Sequence, residues 1–189
     1  MAIPARRNRE IAPSGVVGML IFIVTEVMLF AGFLSAFTIT RSNALMGMWP
    51  PPGQPRLPVE NTMVNTGALL LSGLVLVIGH WRLKKNLTNV RGPLIAALIL
   101  GSTFVALQGV EWVALLRQGL TMMSSPHGSF FYLIVGVHGL HALAAIIAVG
   151  WALSRSLRGK LKASEFYTVE TFWYFVVLMW PIIYTRVYF

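Results

Sequence analysis

Cysteine is absent from the 189 residues. That removes disulfides, thiolate metal ligands and thiol nucleophiles together. Charge is scarce: six acids and four histidines stand in the whole chain, and charged residues make up 11% of it, where a soluble domain carries roughly 25%. The acids are too scattered for a paired-carboxylate site, and no hydroxyl sits in a nucleophile-type elbow. No internal repeat and no low-complexity segment is evident.

What is there is apolar. Hydrophobic residues reach 56%, and five windows, near 15–40, 62–82, 92–116, 128–154 and 166–187, are each long enough to cross a hydrocarbon core of roughly 30 Å as a helix of about 20 residues. The expected fold class is therefore all-α, an integral membrane bundle of five transmembrane helices. Residues 14–189 are read as a single transmembrane domain behind a basic cytoplasmic arm over 1–13. The first window, at roughly 26 residues, is too long for the apolar region of a signal peptide and reads as a retained helix.

The formal charge is +9, but the basic residues form no patch or tail of the kind that binds nucleic acid. They sit in the connections. Arg6, Arg7 and Arg9 precede the first window; Arg82, Lys84, Lys85 and Arg91 separate the second from the third; Arg155, Arg158, Lys160 and Lys162 separate the fourth from the fifth. These alternate connections hold 11 of the 15 basic residues and the others hold 4. An excess of Lys and Arg marks the cytoplasmic side, which predicts a cytoplasmic N-terminus, an extracytoplasmic C-terminus and an odd number of spans.

Ser14 is a suitable N-cap for the first helix, and Asn61-Thr62 supply caps for the second. The second helix is expected to end on the interfacial anchor His80-Trp81-Arg82, with His80 at headgroup level. The one long loop, Trp49-Pro50-Pro51-Pro52-Gly53-Gln54-Pro55-Arg56-Leu57-Pro58, cannot be helical and favours an extended path across the outer surface. The short link to Gly92-Pro93 makes helices two and three antiparallel neighbours.

Ionisable groups in hydrocarbon are costly, about 2.5–3.5 kcal/mol each on insertion scales, so each needs a partner or a water path. Counting 1.5 Å per residue from the cytoplasmic ends puts Glu26 about 18 Å deep, His141 about 20 Å, His138 and Gln108 about 24 Å and Glu111 about 28 Å. Phe22, Phe30, Phe33 and Phe37 share the face of Glu26. Gln108 and Glu111 lie at i, i+3 with Trp112 beside them, and His138 and His141 repeat that spacing on the fourth helix. One histidine of the fourth helix is expected to bond a carboxyl or amide of the first or third. The alternative for Glu26 is a protonated carboxyl bonded to nearby backbone or hydroxyl. His-x-x-His could supply two metal ligands, and His127 to His141 matches a same-helix spacing found in membrane b-type cytochromes. A bis-histidine haem, however, needs a facing ligand at equal depth, and His80 lies at the opposite face from His127. No metal or haem site is expected in this chain.

The order of motifs resembles the subunit III family of haem–copper oxidases, the cytochrome c and quinol oxidases, over nearly the whole chain from about Gly15. Thr25-Glu26-Val27-Met28-Leu29-Phe30-Ala31-Gly32-Phe33 is similar to the family's helix with an intramembrane, carbodiimide-reactive glutamate. Trp49-Pro50-Pro51, Leu57-Pro58, Asn65-Thr66 with Leu70-Leu71-Ser72-Gly73, and Gln108-x-x-Glu111-Trp112 follow in the family's order. The most specific run is Gly128-Ser129-x-Phe131-Tyr132-x-x-x-Gly136-x-His138-Gly139-x-His141, whose glycines are expected to let neighbouring helices approach closely. Two departures stand out. Many relatives have two further helices at the start, as five-helix bacterial members do not. The last helix, Phe172-Trp173-Tyr174-Phe175-Val176-Val177, has Tyr174 and Val177 where the family usually has histidine and aspartate; Glu170, one turn earlier, could partly replace that pair.

The resemblance implies a non-redox subunit of a bacterial haem–copper terminal oxidase in the aerobic respiratory chain. Such a subunit packs on the catalytic subunit I among other oxidase subunits, in the plasma membrane, and supports proton uptake and stability. Haem and copper are then expected in partner subunits, and phospholipid is a possible ligand. Glu26, Gln108, Glu111, His138 and His141 are the intramembrane polar candidates, and Trp112, Glu170, Trp173 and Tyr174 are candidates for lipid or subunit contact. Rival readings are an accessory subunit associated with nitric oxide reductase, a stand-alone proton or solute carrier, and a b-type cytochrome anchor.

Overall fold

The computed structural model describes residues 14–44, 48–85 and 89–189, so the basic arm expected over 1–13 lies outside the described residues. Every regular element among the described residues is a helix: α1 (Ser14–Ser42), α2 (Val59–Lys84), α3 (Arg91–Arg117), α4 (Pro126–Leu157) and α5 (Ala163–Val187). All five are long and apolar enough to cross a membrane. The chain is thus a multi-pass membrane protein with five spanning helices.

Local chemistry sets most of the ends. α4 starts on Ser125, whose hydroxyl accepts the Gly128 N–H at 3.1 Å, with Pro126 in the first helical position, where its missing N–H costs nothing. α3 stops at Gly119 (φ +88°), and the Leu120 N–H closes back on the Leu115 carbonyl at 3.0 Å. α4 stops the same way at Gly159 (φ +66°), with Lys160 N–H on the Arg155 carbonyl at 2.9 Å. Both are glycine-terminated Schellman closures. At the start of α5 the Glu165 carboxylate takes the Lys162 N–H at 2.9 Å, holding the chain end as a capping box does.

Helix α2 departs from expectation. It begins at Val59, directly after Pro58, so Thr62 is not a cap but lies in the first turn, its hydroxyl oxygen 2.8 Å from the Pro58 carbonyl. It also runs to Lys84, past the expected end at Arg82. Proline is favourable at a helix start and breaks helix only further in.

The helices alternate in direction. One end of the bundle brings Gly15 of α1 against Thr168 of α5, and Gly79 of α2 against Pro93 of α3 and Phe166 of α5; there the Arg91 guanidinium also donates to the Ser156 carbonyl. The other end brings Arg41 to Phe189 and Trp49 to His127. The lysine- and arginine-rich connections fall at the first end.

α5 is the hub, packed against α1, α2 and α4, while α3 packs on α2 and α4. Trp173 and Trp180 of α5 are fully buried. The closest approach is at Gly101 of α3, where an added Cβ would overlap the Trp173 ring; only glycine leaves that room. The Trp173 indole N–H donates to Ser72 Oγ at 3.1 Å, and that of Trp180 to Thr66 Oγ1 at 2.8 Å. Trp173, a candidate for lipid or subunit contact, is enclosed by the bundle in this chain. α1 is the least enclosed helix, burying Phe30 and Phe37 while Ile21, Val24 and Met28 stay exposed.

Candidate functional site

Three polar groupings cross between helices, and each is built differently. The first lies on α1, where Glu26 is the one ionisable residue between Ser14 and Thr40. Its Oε2 stands 3.0 Å from Nε2 of His141 on α4, both side chains being largely enclosed. The contact is close, but the oxygen is off the line of a well-formed hydrogen bond; the terminal torsion of a glutamate is soft enough to align it. The other ring nitrogen, Nδ1, is 2.8 Å from the Val137 carbonyl oxygen one turn back. A carbonyl only accepts, so Nδ1 carries the hydrogen, a tautomer assigned from the bonding network. Nε2 then faces Glu26 either as the acceptor of a carboxylic O–H or as the N–H of an imidazolium facing a carboxylate. Phe22, Phe30, Phe172 and Phe175 surround the imidazole at centroid distances of 5.7–6.4 Å. In so apolar a cage the charged form gains little from solvent.

The second grouping ties α2, α3 and α5 together at the end opposite the basic connections. Glu111 Oε2 accepts from Thr62 Oγ1 at 2.8 Å and from the Gln108 amide at 3.2 Å, and that amide also donates to the Tyr188 hydroxyl at 3.0 Å. Burial, with the Glu111 carboxyl adding to it, pushes the Tyr188 phenol above its ordinary range, so it stays a neutral hydroxyl. Tyr184 completes the tie by donating to the Val59 carbonyl at 2.9 Å.

The third grouping was not foreseen. His80 of α2 and Glu170 of α5 meet at 2.6 Å between Nδ1 and Oε1, with Tyr167 against the imidazole at 5.4 Å. His80 is thus held in a pair between helices, not simply set among headgroups. The signal was available: both residues lie within two turns of the basic end of antiparallel neighbours, so depth arithmetic would have matched them.

The remaining candidates fall apart from these. His138 is buried with neither ring nitrogen bonded among the described residues. Its neighbours are the rings of Trp180 at 5.0 Å, Phe30 at 6.3 Å and Phe104 at 6.5 Å. It borders a cavity of about 150 Å³ between α3 and α4 that Gln108, Trp112, Gly136 and Gly139 also line. The expected glycine contacts are partly different in kind. Gly136 and Gly139 lie under the Trp112 ring at ordinary contact distance, but the space at Gly128 is taken by the Thr121 carbonyl of the preceding turn, not by a neighbouring helix. Tyr174 and Trp112 are half-buried, and Glu170 is buried. Among the described residues no three His, Asp or Glu side chains converge as metal ligands.

Comparison with known proteins gives this geometry a context. A family model described as cytochrome c oxidase subunit III matches residues 7–189. A probable cytochrome c oxidase subunit 3 of Nocardia farcinica is 31% identical over 177 residues, covering 92% of this chain and 86% of the relative. One of Mycobacterium leprae matches with the same identity and coverage. The cytochrome c oxidase subunit 3 of Oryctolagus cuniculus is 31% identical over 179 residues, or 90% of this chain and 67% of its own length.

Proposed function

The chain belongs to the cytochrome c oxidase subunit III family, and from that premise we propose that it is a non-redox subunit which packs on the catalytic subunit of a bacterial haem–copper oxidase and supports proton uptake and lasting turnover there. As a subunit III it works within an oxidase complex of the respiratory chain, and its relatives favour neither the nitric oxide reductase reading nor the stand-alone carrier. The basic connections at one end of the bundle support a plasma-membrane topology with the N-terminus cytoplasmic. Haem and copper belong, in this reading, to partner subunits.

The observation that best supports a proton-related role is the Glu26–His141 pair. It sits on the spanning helices α1 and α4, with Glu26 Oε2 3.0 Å from His141 Nε2 and phenylalanines around the imidazole. Glu26 holds the proton or yields it to Nε2, while Val137 fixes the ring so that Nε2 faces α1. The pair is a store, not a path: among the described residues the aromatic wall offers no second acceptor at hydrogen-bond distance. Supporting proton uptake then means steadying the protonation and geometry of a surface against which the catalytic subunit packs.

The test is purification through a tag on this chain. Co-isolation of a haem–copper subunit, together with faster loss of activity during turnover in Glu26→Gln and His141→Leu complexes, is the expected result. Isolation of the chain alone from gently solubilised membranes overturns the subunit reading. Wild-type activity lifetimes in both variants overturn the role of the pair.

A further inference from the structure

A cavity of about 280 Å³ opens at the end of the bundle opposite the basic connections, roofed by the proline-rich loop. Its walls carry Arg41 from the last turn of α1, Arg56 from the loop and His127 from the first turn of α4; Val59, Val187 and Phe189 give it apolar sides. No acidic side chain is among the described lining residues. The Arg41 guanidinium donates one N–H to the Phe189 carbonyl at 2.6 Å, which steadies it while the rest of its five donors remain.

His127 is the telling member. It is 3% exposed, its ring stands edge-on to Trp49 at 5.3 Å, and neither ring nitrogen is bonded among the described residues. A buried imidazole with two unmatched nitrogens, lining a cavity with two guanidiniums, is matched by a ligand that brings an oxyanion to accept from one nitrogen and a hydroxyl to donate to the other. The depth narrows the class. Each helix that borders the cavity does so at its terminal turn, which is headgroup level, and the apolar sides suit the glycerol and first methylenes of an acyl chain.

We infer that this cavity binds the phosphate of a phospholipid headgroup in the leaflet opposite the basic connections. Arg41 and Arg56 hold the phosphate oxygens as planar forks, and His127 donates from one ring nitrogen and accepts on the other. This site is separate from the Glu26–His141 pair and does not depend on any role of that pair.

The experiment uses the whole complex, purified in an uncharged detergent and stripped of lipid. Dioctanoyl phosphatidylglycerol, inorganic phosphate and dioctanoylglycerol are each titrated and counted on this chain by native mass spectrometry. One phosphatidylglycerol is expected at this site, with dissociation raised about fivefold in Arg56→Gln and raised also in His127→Phe, and no change in Arg186→Gln, a cation at the same end that does not line the cavity. Phosphate should compete only at far higher concentration. Unchanged affinity in both site variants, an equal loss in Arg186→Gln, equal binding of dioctanoylglycerol, or occupancy by inorganic phosphate alone would each overturn the lipid assignment. So would an Arg56→Gln complex that falls apart with its lipid binding intact, the sign of a partner's carboxylate in the cavity instead.

Discussion

Glu26 and Glu111 are both carboxyls on membrane-spanning helices, yet the molecule treats them in opposite ways. Glu111 is tied by Thr62 and Gln108 and through them to Tyr188, so three helices close on it. Glu26 has one partner, on the helix least enclosed by the bundle, and that partner is itself titratable. A carboxyl held by neutral donors on several helices is a fastener whose loss is felt as stability. A carboxyl facing a single imidazole inside an aromatic cage has two proton arrangements of similar geometry. The two carboxyls therefore differ in how many helices close on them and in whether their partners are neutral.

The comparison breaks most severely where the tight side is pried open. Gly101→Val places a side chain in the Trp173 ring, pushing α3 from α5 and straining the Trp173–Ser72 bond. Overpacking of this kind costs about 3 kcal/mol, and the expected outcome is loss of most of the folded chain from the membrane, checked by its yield and thermal unfolding in detergent. Recovery of wild-type stability would mean that α3 and α5 slide freely, contrary to the fully buried indole.

Much of this was legible beforehand. Five spans follow from apolar run length, and the alternation of basic connections agrees with how the helix ends meet. The family's signature run around His138 and His141 is also readable directly. What was not legible came from side-chain direction. Spacing placed His138 and His141 on one face and made either a partner for a carboxyl, but only His141 turns toward α1, while His138 points among Trp180, Phe30 and Phe104. Gln108 and Glu111 looked equally available to those histidines, yet Thr62 and Tyr188 take them. Thr62 was hidden because it read as a cap, and Tyr188 because it lies one residue beyond the last helix. His80–Glu170 joins residues 90 apart in sequence; their equal depth is readable, but the packing of α2 on α5 that lets them meet is not.

A pair of substitutions sharpens the contrast. Glu111→Leu leaves the Thr62 hydroxyl and the Gln108 amide without their carboxyl acceptor, a loss expected to cost about 1–2 kcal/mol. Glu26→Gln keeps shape and can still bond His141 Nε2 through its amide N–H, so its cost is expected near 0.5 kcal/mol. Thermal unfolding of the two purified complexes measures the difference. Infrared difference spectra taken during turnover give an independent reading: a carboxyl band should vanish with Glu26→Gln and persist with Glu111→Leu. Equal destabilisation, or a band that survives Glu26→Gln, would erase the distinction.

The smallest effect is expected at His138, and its smallness is informative. A buried imidazole normally answers for both nitrogens, and removing it leaves a partner stranded. Here neither nitrogen has a partner to strand among the described residues; its ring neighbours are Trp180, Phe30 and Phe104, and it shares the adjoining cavity with Gln108. His138→Phe keeps an aromatic ring against Trp180 while removing two desolvated polar atoms. The change should fall within about 1 kcal/mol of wild type, in either direction. A loss of several times that, measured in the same detergent and read beside His141→Leu, would mean that His138 bonds a group supplied by another subunit. The polar face of α4 would then extend one turn further toward the partner than the chain alone reveals.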